Sequence, residues 1–412
     1  MKPMDKMKDK KLMKHIIDEV QEEGVIGEED SIAILTLKIM LRLVKDAKAT
    51  GGNILVSDNT GGGKDHLTKN VCKVLLENKK TCYHRTNLSP KIFNYWQPVD
   101  ANKKPTTWNG KVLYLEDPEE ECLKSQAFKV MASGGTSITV VKDQKVFERE
   151  IDGKPVIIVT SMKANIDDEG QRRWDCIRVD TSPELTQKVI QKSFDKAEGL
   201  IPYNPDEQFR ILLRSLRSYD VIIPYASRLH KYFSSNMVLR TQVLKLLDYI
   251  RASAILHQYQ RKKDADGKLI AEEDDYELAR YAFIKLRNAQ GNALNKKEEA
   301  IVDYLVSKKK PVKLNQVTSD LNGISRNWLY ENKDNLVDKN VIITKMEFDP
   351  DANRDVEHLQ YNLMNNKCNL PSSTTALGKK ASGYIASGQF YKEVNQIRKK
   401  EGLKKIFTEV RT

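Results

Sequence analysis

The stretch SDNTGGGKDHLTK, residues 57–69, sets three glycines before a lysine and an aspartate. Glycines let backbone N–H groups approach phosphate oxygens, and a lysine directly after them reaches the β and γ oxygens. The common form is G-x-x-x-x-G-K-[S/T]. Here Asp58 stands for the first glycine and Asp65 for the hydroxyl that holds Mg²⁺. A carboxylate is a hard oxygen ligand, so Asp65 remains a candidate metal donor. Candidates for nucleotide contact are Thr60, Gly61, Gly62, Gly63, Lys64, Asp65 and His66.

A nucleotide site needs acids as well. KVLYLEDPEEE is an apolar run ending in Glu116 and Asp117, the pattern of a buried strand that delivers carboxylates to its carboxyl end. One acid would hold Mg²⁺ with its water shell and the other would orient or deprotonate the attacking water. Asp65 with Glu116 is the expected metal pair and Asp117 the expected base, although the Glu-Asp order leaves the two roles open. Glu119, Glu120 and Glu121 read as an acidic helix start. Downstream, KPVIIVTSMKAN ends a second apolar run in Thr160 and Ser161, with Asn165 beyond, where a hydroxyl or amide would sit between the γ-phosphate and the lytic water. QRRW then supplies Arg172 and Arg173, either of which could act as an arginine finger on a neighbouring subunit's nucleotide.

These groups need a scaffold. Residues 1–26 read as a basic leader and one helix, with Leu12, Ile16, Ile17 and Val20 on one face. From 27 to 182 a long apolar helix is followed by strands alternating with helices (ILVS, TCYHR, KVLYLED, SITVV, KPVIIVTS, CIRVD), which predicts an α/β core around a largely parallel sheet. Residues 183–290 read as helical throughout. After the linker NAQGNALNKK, residues 296–364 combine three helices with two strands around DPDANRD, the composition of a winged helix. Its third helix offers Arg326, Asn327 and Lys333 to a nucleic acid, arginine and asparagine for base edges and lysine for phosphate. Residues 365–412 form a basic tail with one expected helix near 391–401.

The 412 residues carry a net charge of +12, which points to an anionic partner, DNA first. Five scattered cysteines show no C-x-x-C spacing, and the six histidines lack paired metal-ligand spacing. No apolar run approaches the length of a membrane span, so the expectation is a soluble cytoplasmic protein.

With the loop, the acidic strand, the polar-tipped strand and the arginine pair in order, the sequence resembles AAA+ ATPases and, within them, the helicase branch. FKVMASGGTSITVVKDQKVFEREIDGKPVIIVTS is similar to the hairpin insertion before the sensor strand in minichromosome-maintenance-type and superfamily 3 helicases. The resemblance implies a hairpin that enters a central pore, with Lys142 and Lys145 at its turn meeting DNA. MVLRTQVLKLLDYIRASAILHQYQR resembles the lid of the same proteins, which implies that Arg240, or less directly Arg251, contacts the γ-phosphate. EVQEEGVIGEEDSIAILTLKIMLRLV resembles helicases of archaeal and mobile-element primase systems.

Together these imply an AAA+ α/β core, an all-α lid and a C-terminal winged helix in an ATP- and Mg²⁺-dependent DNA helicase. It would act as a homo-hexameric ring on single-stranded or forked DNA, with a separate primase or origin-binding partner. A nucleotide-switched initiator or loader without unwinding is the alternative, and a kinase using the Gly-Lys-Asp loop ranks third.

Overall fold

The computed structural model describes residues 1–45, 52–57, 63–86, 88, 92–94, 96–100, 102, 104–133, 137–142, 145–161, 174–200, 203–232, 238–291, 296–308, 310–338, 342–349, 353–361, 370 and 372–378. In chain order the elements begin with α1 (Pro3–Lys8), α2 (Leu12–Glu22) and α3 (Glu29–Met40), then a 3₁₀ turn Leu41–Leu43, β1 (Ile54–Ser57) and α4 (Lys64–Leu75). β2 (Cys82–Arg85), β3 (Val112–Glu116), α5 (Glu120–Lys124) and α6 (Gln126–Ser133) follow, then β4 (Ser137–Lys142), β5 (Lys145–Glu150), β6 (Val156–Ser161) and β7 (Asp175–Arg178). Next come α7 (Pro183–Ala197), α8 (Glu207–Arg214), β8 (Val221–Ile222), α9 (Ala226–Leu229), α10 (Val238–Leu256), β9 (Leu269–Ile270) and α11 (Glu273–Gly291). The remainder is α12 (Lys296–Lys308), β10 (Val312–Lys313), α13 (Leu314–Asp320), α14 (Arg326–Asp338), β11 (Ile342–Asp349), β12 (Arg354–Tyr361) and α15 (Ser373–Leu377).

Two compact units result, Met1–Phe283 together with residues 372–378, and Ile284–Leu370. The first is organised by a five-stranded, all-parallel sheet of order β2-β3-β6-β1-β7. Its three inner strands, β1, β3 and β6, are apolar almost throughout, as buried strands of a parallel sheet are. β6 therefore lies between β1, which leads into the glycine loop, and β3, which carries the acids. Thr160 is in register with Val56 on one side and Glu116 on the other. β4 and β5 form a separate antiparallel hairpin between α6 and β6, with Lys142 and Lys145 as its last paired positions.

α3 is buried on all sides from Ser31 to Met40, which is why its sequence is apolar around the whole helix. The start of the chain differs from the expected leader and single helix. It makes two helices, and Met7, Leu12 and Ile16 are fully buried. Lys6 pairs with Asp206 at 2.8 Å and lies over the Phe209 ring, so this lysine of the expected basic leader is docked at α8. Arg210 of α8 is fully buried and answers Glu19 of α2 and Glu23 just after it, each at 2.6 Å. Residues 183–290 are also not helical throughout. β8 and β9 pair in parallel, because the acidic turn before Lys268 brings Leu269 and Ile270 back alongside the β-branched run at Val221.

Three buried groups tie α3, the sheet edge and α10 together. Asp175 opens β7 and accepts from Lys38, from Lys245 at 3.0 Å, and from the Tyr249 hydroxyl. All four residues are buried. Asp175 ionises well below the usual carboxylate range: burial opposes its charge, but the Lys245 and Lys38 ammoniums outweigh that cost. Lys38 is pushed down to about 8 by burial, with Asp175 opposing the shift.

Gly153, in the turn between β5 and β6, has φ +79°, and a Cβ there would stand 2.4 Å from Thr107 Oγ1 and 2.6 Å from the Asn109 nitrogen. Gly153→Ala is expected to cost about 1–3 kcal/mol, through the left-handed backbone and the clash together. A urea midpoint that falls with an unchanged m-value would show it.

The second unit packs α12, α13 and α14 around Ile301, Leu305, Val317, Leu329 and Leu336. Its antiparallel sheet has three strands, order β10-β12-β11, one more than the sequence had indicated, because Val312 and Lys313 pair with Leu359 and His358. Among the described residues, no helix is long and apolar enough to cross a membrane.

Candidate functional site

β1 ends at Ser57 and α4 begins at Lys64, so the glycine loop joins a buried strand to a helix N-terminus, where N–H groups and the helix dipole favour anions. Gly63 caps α4 with φ +88°, a conformation that glycine adopts without strain, and accepts at its carbonyl from the Leu67 nitrogen at 2.9 Å. Thr60, Gly61 and Gly62 lie outside the described residues, as does Asp58.

Lys64 is buried, and its ammonium is held between two carboxylates, 3.3 Å from Asp65 and 3.1 Å from Asp117. Burial alone would lower the Lys64 pKa. The Asp117 and Asp65 carboxylates reverse that and raise it. Asp65 is likewise opposed by burial but ends below its ordinary value, favoured by the Thr160 hydroxyl, by Lys64 and by the Tyr114 hydroxyl, which donates to it at 3.3 Å. Thr160 Oγ1 is itself completely buried and, among the described residues, meets no group in hydrogen-bond geometry, so it lies near Asp65 without being satisfied by it. Asp117 has φ +42°, fixed by its nitrogen donating to the Thr160 carbonyl at 2.9 Å, which turns its half-exposed carboxylate back toward Lys64.

Glu116 faces elsewhere. One of its oxygens receives Lys69 of α4 at 2.5 Å and the other His84 of β2 at 2.8 Å. His84 stacks on Tyr114, ring centroids 4.4 Å apart, because the two are paired in register on adjacent strands. The sequence reading paired Asp65 with Glu116 at the metal; the structure brings Asp65 and Asp117 to one ammonium and holds Glu116 with His84 and Lys69. Neither His84 nor Lys69 was singled out in the sequence. His84 ends a strand-like run, and only the strand order shows that it reaches Glu116.

His66 follows in the first turn of α4, with its ring near the Asn70 amide, Nδ1 at 3.3 Å. Ser161 closes β6. Asn165, Arg172 and Arg173 fall outside the described residues, and Arg240 is in α10 with its side chain outside them. The Arg251 guanidinium is engaged by Asp248 at 2.7 Å. The side chains of Lys142 and Lys145 are also outside the described set. In the second unit, Arg326 and Asn327 are exposed in the first turn of α14, the Arg326 guanidinium 5.6 Å from the Tyr330 ring centre. Lys333 is half-buried against Glu357 at 2.5 Å, which neutralises part of the charge expected for a phosphate contact.

A strand, glycine loop and helix beside a second strand that ends in acids is the geometry of a phosphate-binding core. A family model described as the MTBMA_p00010 P-loop domain matches residues 2–221. The chain belongs to that family. No curated protein matches the chain. A P-loop domain binds a nucleoside triphosphate and is in general an NTP hydrolase, usually with Mg²⁺.

The residues present fit that cation. Among the described residues no cluster of three or more His, Cys, Asp or Glu is placed to hold a metal alone. Mg²⁺ in such sites takes one or two carboxylates and completes its shell with water and phosphate oxygens. The P-loop domain supplies Asp65 and Asp117 at one ammonium, and the buried Thr160 hydroxyl lies near Asp65.

Because His84 orients Glu116, His84→Ala is expected to lower NTP turnover about 10- to 100-fold while KM changes little. Steady-state kinetics would separate the two: a loss confined to KM would assign His84 to binding instead.

Proposed function

We propose that this P-loop protein is an ATP-driven DNA motor of a replication system, a helicase that works as a hexameric ring on single-stranded or forked DNA in the cytoplasm. The observation that carries the reading is the hairpin β4–β5, which stands between the acidic strand and β6. A hairpin in that position is continuous with the strand that presents Thr160 to the nucleotide, so a change at the γ-phosphate has a direct route to the hairpin's tip at residues 142 and 145. The AAA+ resemblance expects an insertion at this point, and the +12 charge suits a polyanionic track.

In this reading Gly61, Gly62, Gly63 and Lys64 cradle phosphates, with Thr60 and His66 at the rim. Asp65 and Asp117 would hold Mg²⁺, which would supply neutralisation of phosphate charge. Glu116, fixed by His84 and Lys69, then takes the water-activating role that the sequence assigned to Asp117. Arg172 or Arg173 acts across a subunit boundary, and Arg240 senses the γ-phosphate from the helical segment, read as a lid. The unit Ile284–Leu370 is read as a winged helix whose α14 offers Arg326 and Asn327 to a groove, which its three helices and three-stranded sheet support. A separate primase or origin-binding protein, as in mobile-element systems, completes the set of partners.

ATP hydrolysis measured with and without single-stranded and forked DNA, beside a Lys64→Ala control, tests the proposal. Turnover that rises with DNA and is lost in the control, followed by strand separation on the fork, is the expected result. Binding of ATP and DNA without turnover would replace the motor with a nucleotide-switched initiator.

A further inference from the structure

A cavity of about 560 Å³ opens at the amino ends of β1, β3 and β6, the opposite end of the sheet from Lys64. One wall is apolar, built by Leu41, Leu43 and Val156, while Arg42 and Lys154 bring two cations to the same space. Both are held in place by the local fold. Arg42 sits in the 3₁₀ turn after α3, where its Nη1 donates to the Gly110 carbonyl at 3.0 Å and its buried Nε meets no acceptor. Lys154 follows the Gly153 turn and is anchored by its backbone nitrogen on Asn109 Oδ1 at 3.2 Å. Among the described residues its ammonium has no carboxylate within ion-pair distance. Asp248 also lines the cavity, but Arg251 already holds it at 2.7 Å.

Arg42 and Lys154 are half-buried, so each is partly desolvated, and an anion bound beside them would offset that cost. Burial pushes Lys154 down to about 8, with Asp248 opposing and Lys245 reinforcing the shift, and pushes Arg42 down to about 10. The volume lies within the range of small-molecule sites, roughly 300–1,000 Å³. An arginine donor beside an ammonium suits a phosphate head, and the aliphatic wall suits the body that carries it.

We propose that this cavity is a second ligand site, binding a small phosphomonoester with its phosphate on Arg42 and its body against Leu41, Leu43 and Val156, within reach of Lys154. It is independent of the P-loop and of the motor reading.

Pyridoxal 5′-phosphate is a suitable probe for the full chain, since it pairs a phosphate with an aldehyde. The uncharged lysine amine condenses with the aldehyde carbon, water leaves as the imine forms, and borohydride then reduces the imine to a stable secondary amine. Peptide mapping locates the label and reads Lys154 separately from Lys64. The expected result at pH 8 is labelling of Lys154 about tenfold faster than by pyridoxal, which lacks the phosphate, the advantage of one charge-assisted contact. Arg42→Ala should remove that preference, and AMP should protect Lys154 at lower concentration than inorganic phosphate does. Lys154→Ala should retain the circular dichroism and melting temperature of the parent while losing this peptide's label. Equal rates with pyridoxal, or labelling no faster than at exposed Lys80, would overturn the proposal. Equal protection by AMP and inorganic phosphate would put free phosphate in the cavity and overturn the role of the apolar wall.

Discussion

Replacing Lys64 with alanine is expected to lower NTP turnover by on the order of 10²–10³-fold, the usual cost of removing a preorganised positive group from a developing negative charge. The arrangement around Lys64 makes the effect specific. The ammonium pairs with Asp65 and Asp117 at 3.3 and 3.1 Å, so phosphate oxygens that bind Lys64 would compete with these carboxylates, which would then favour another cation. Mg²⁺ would be that cation, and nucleotide is then expected to bind tightly only when the metal accompanies it. Isothermal titration of ATP with and without Mg²⁺ would show the dependence. Comparable affinity without the metal would remove Asp65 and Asp117 from the cation's coordination.

The same geometry separates the two acids of β3. Asp117→Asn weakens one side of the clamp on Lys64 and is expected to raise the Mg²⁺ concentration needed for half-maximal turnover. Glu116→Gln leaves the clamp untouched, since Glu116 contacts His84 and Lys69, and is expected to abolish turnover while nucleotide still binds.

Much of this was legible in the sequence because it depends on runs of consecutive residues. An apolar stretch that ends in polar groups is a buried strand that carries those groups to its carboxyl end, and ILVS, VLYLE and VIIVTS all fold that way. Pairings between distant segments were not legible. His84 reaches Glu116 only because β2 and β3 are neighbours, and Thr160 stands beside both the loop strand and the acids only because β6 is inserted between them. Lys38 carried the one local signal of a buried charge, a lysine in a helix apolar on every side. Nothing nearby in the chain named Asp175 as its partner, 137 residues away.

That buried charge carries the largest expected effect on stability. Asp175→Asn leaves Lys38 and Lys245 buried without their shared carboxylate, and the expected loss is about 3–5 kcal/mol, the cost of breaking a buried ion pair from one side. Lys38→Met fills similar volume and leaves Asp175 with Lys245 and Tyr249, so its loss should be smaller. The double variant should lose less than the two single losses added together, with a coupling of about 0.5–3 kcal/mol. The pH dependence follows from the signs of the shifts. The depressed Asp175 carboxylate stabilises the fold above its ordinary value of 3.8, and that contribution disappears as pH falls from there toward its lower native value. Lys38, lowered to about 8 from 10.5, makes the unfolded chain the stronger proton binder between those values, so its contribution improves as pH rises through them. Without Asp175 the Lys38 pKa falls further, and the variant regains stability on the alkaline side sooner than the parent does. Urea unfolding of parent and Asp175→Asn across pH 3 to 10 should therefore show a deficit that is greatest between the two windows and narrows at both ends; a deficit independent of pH would mean that lost packing, not lost charge, accounts for it.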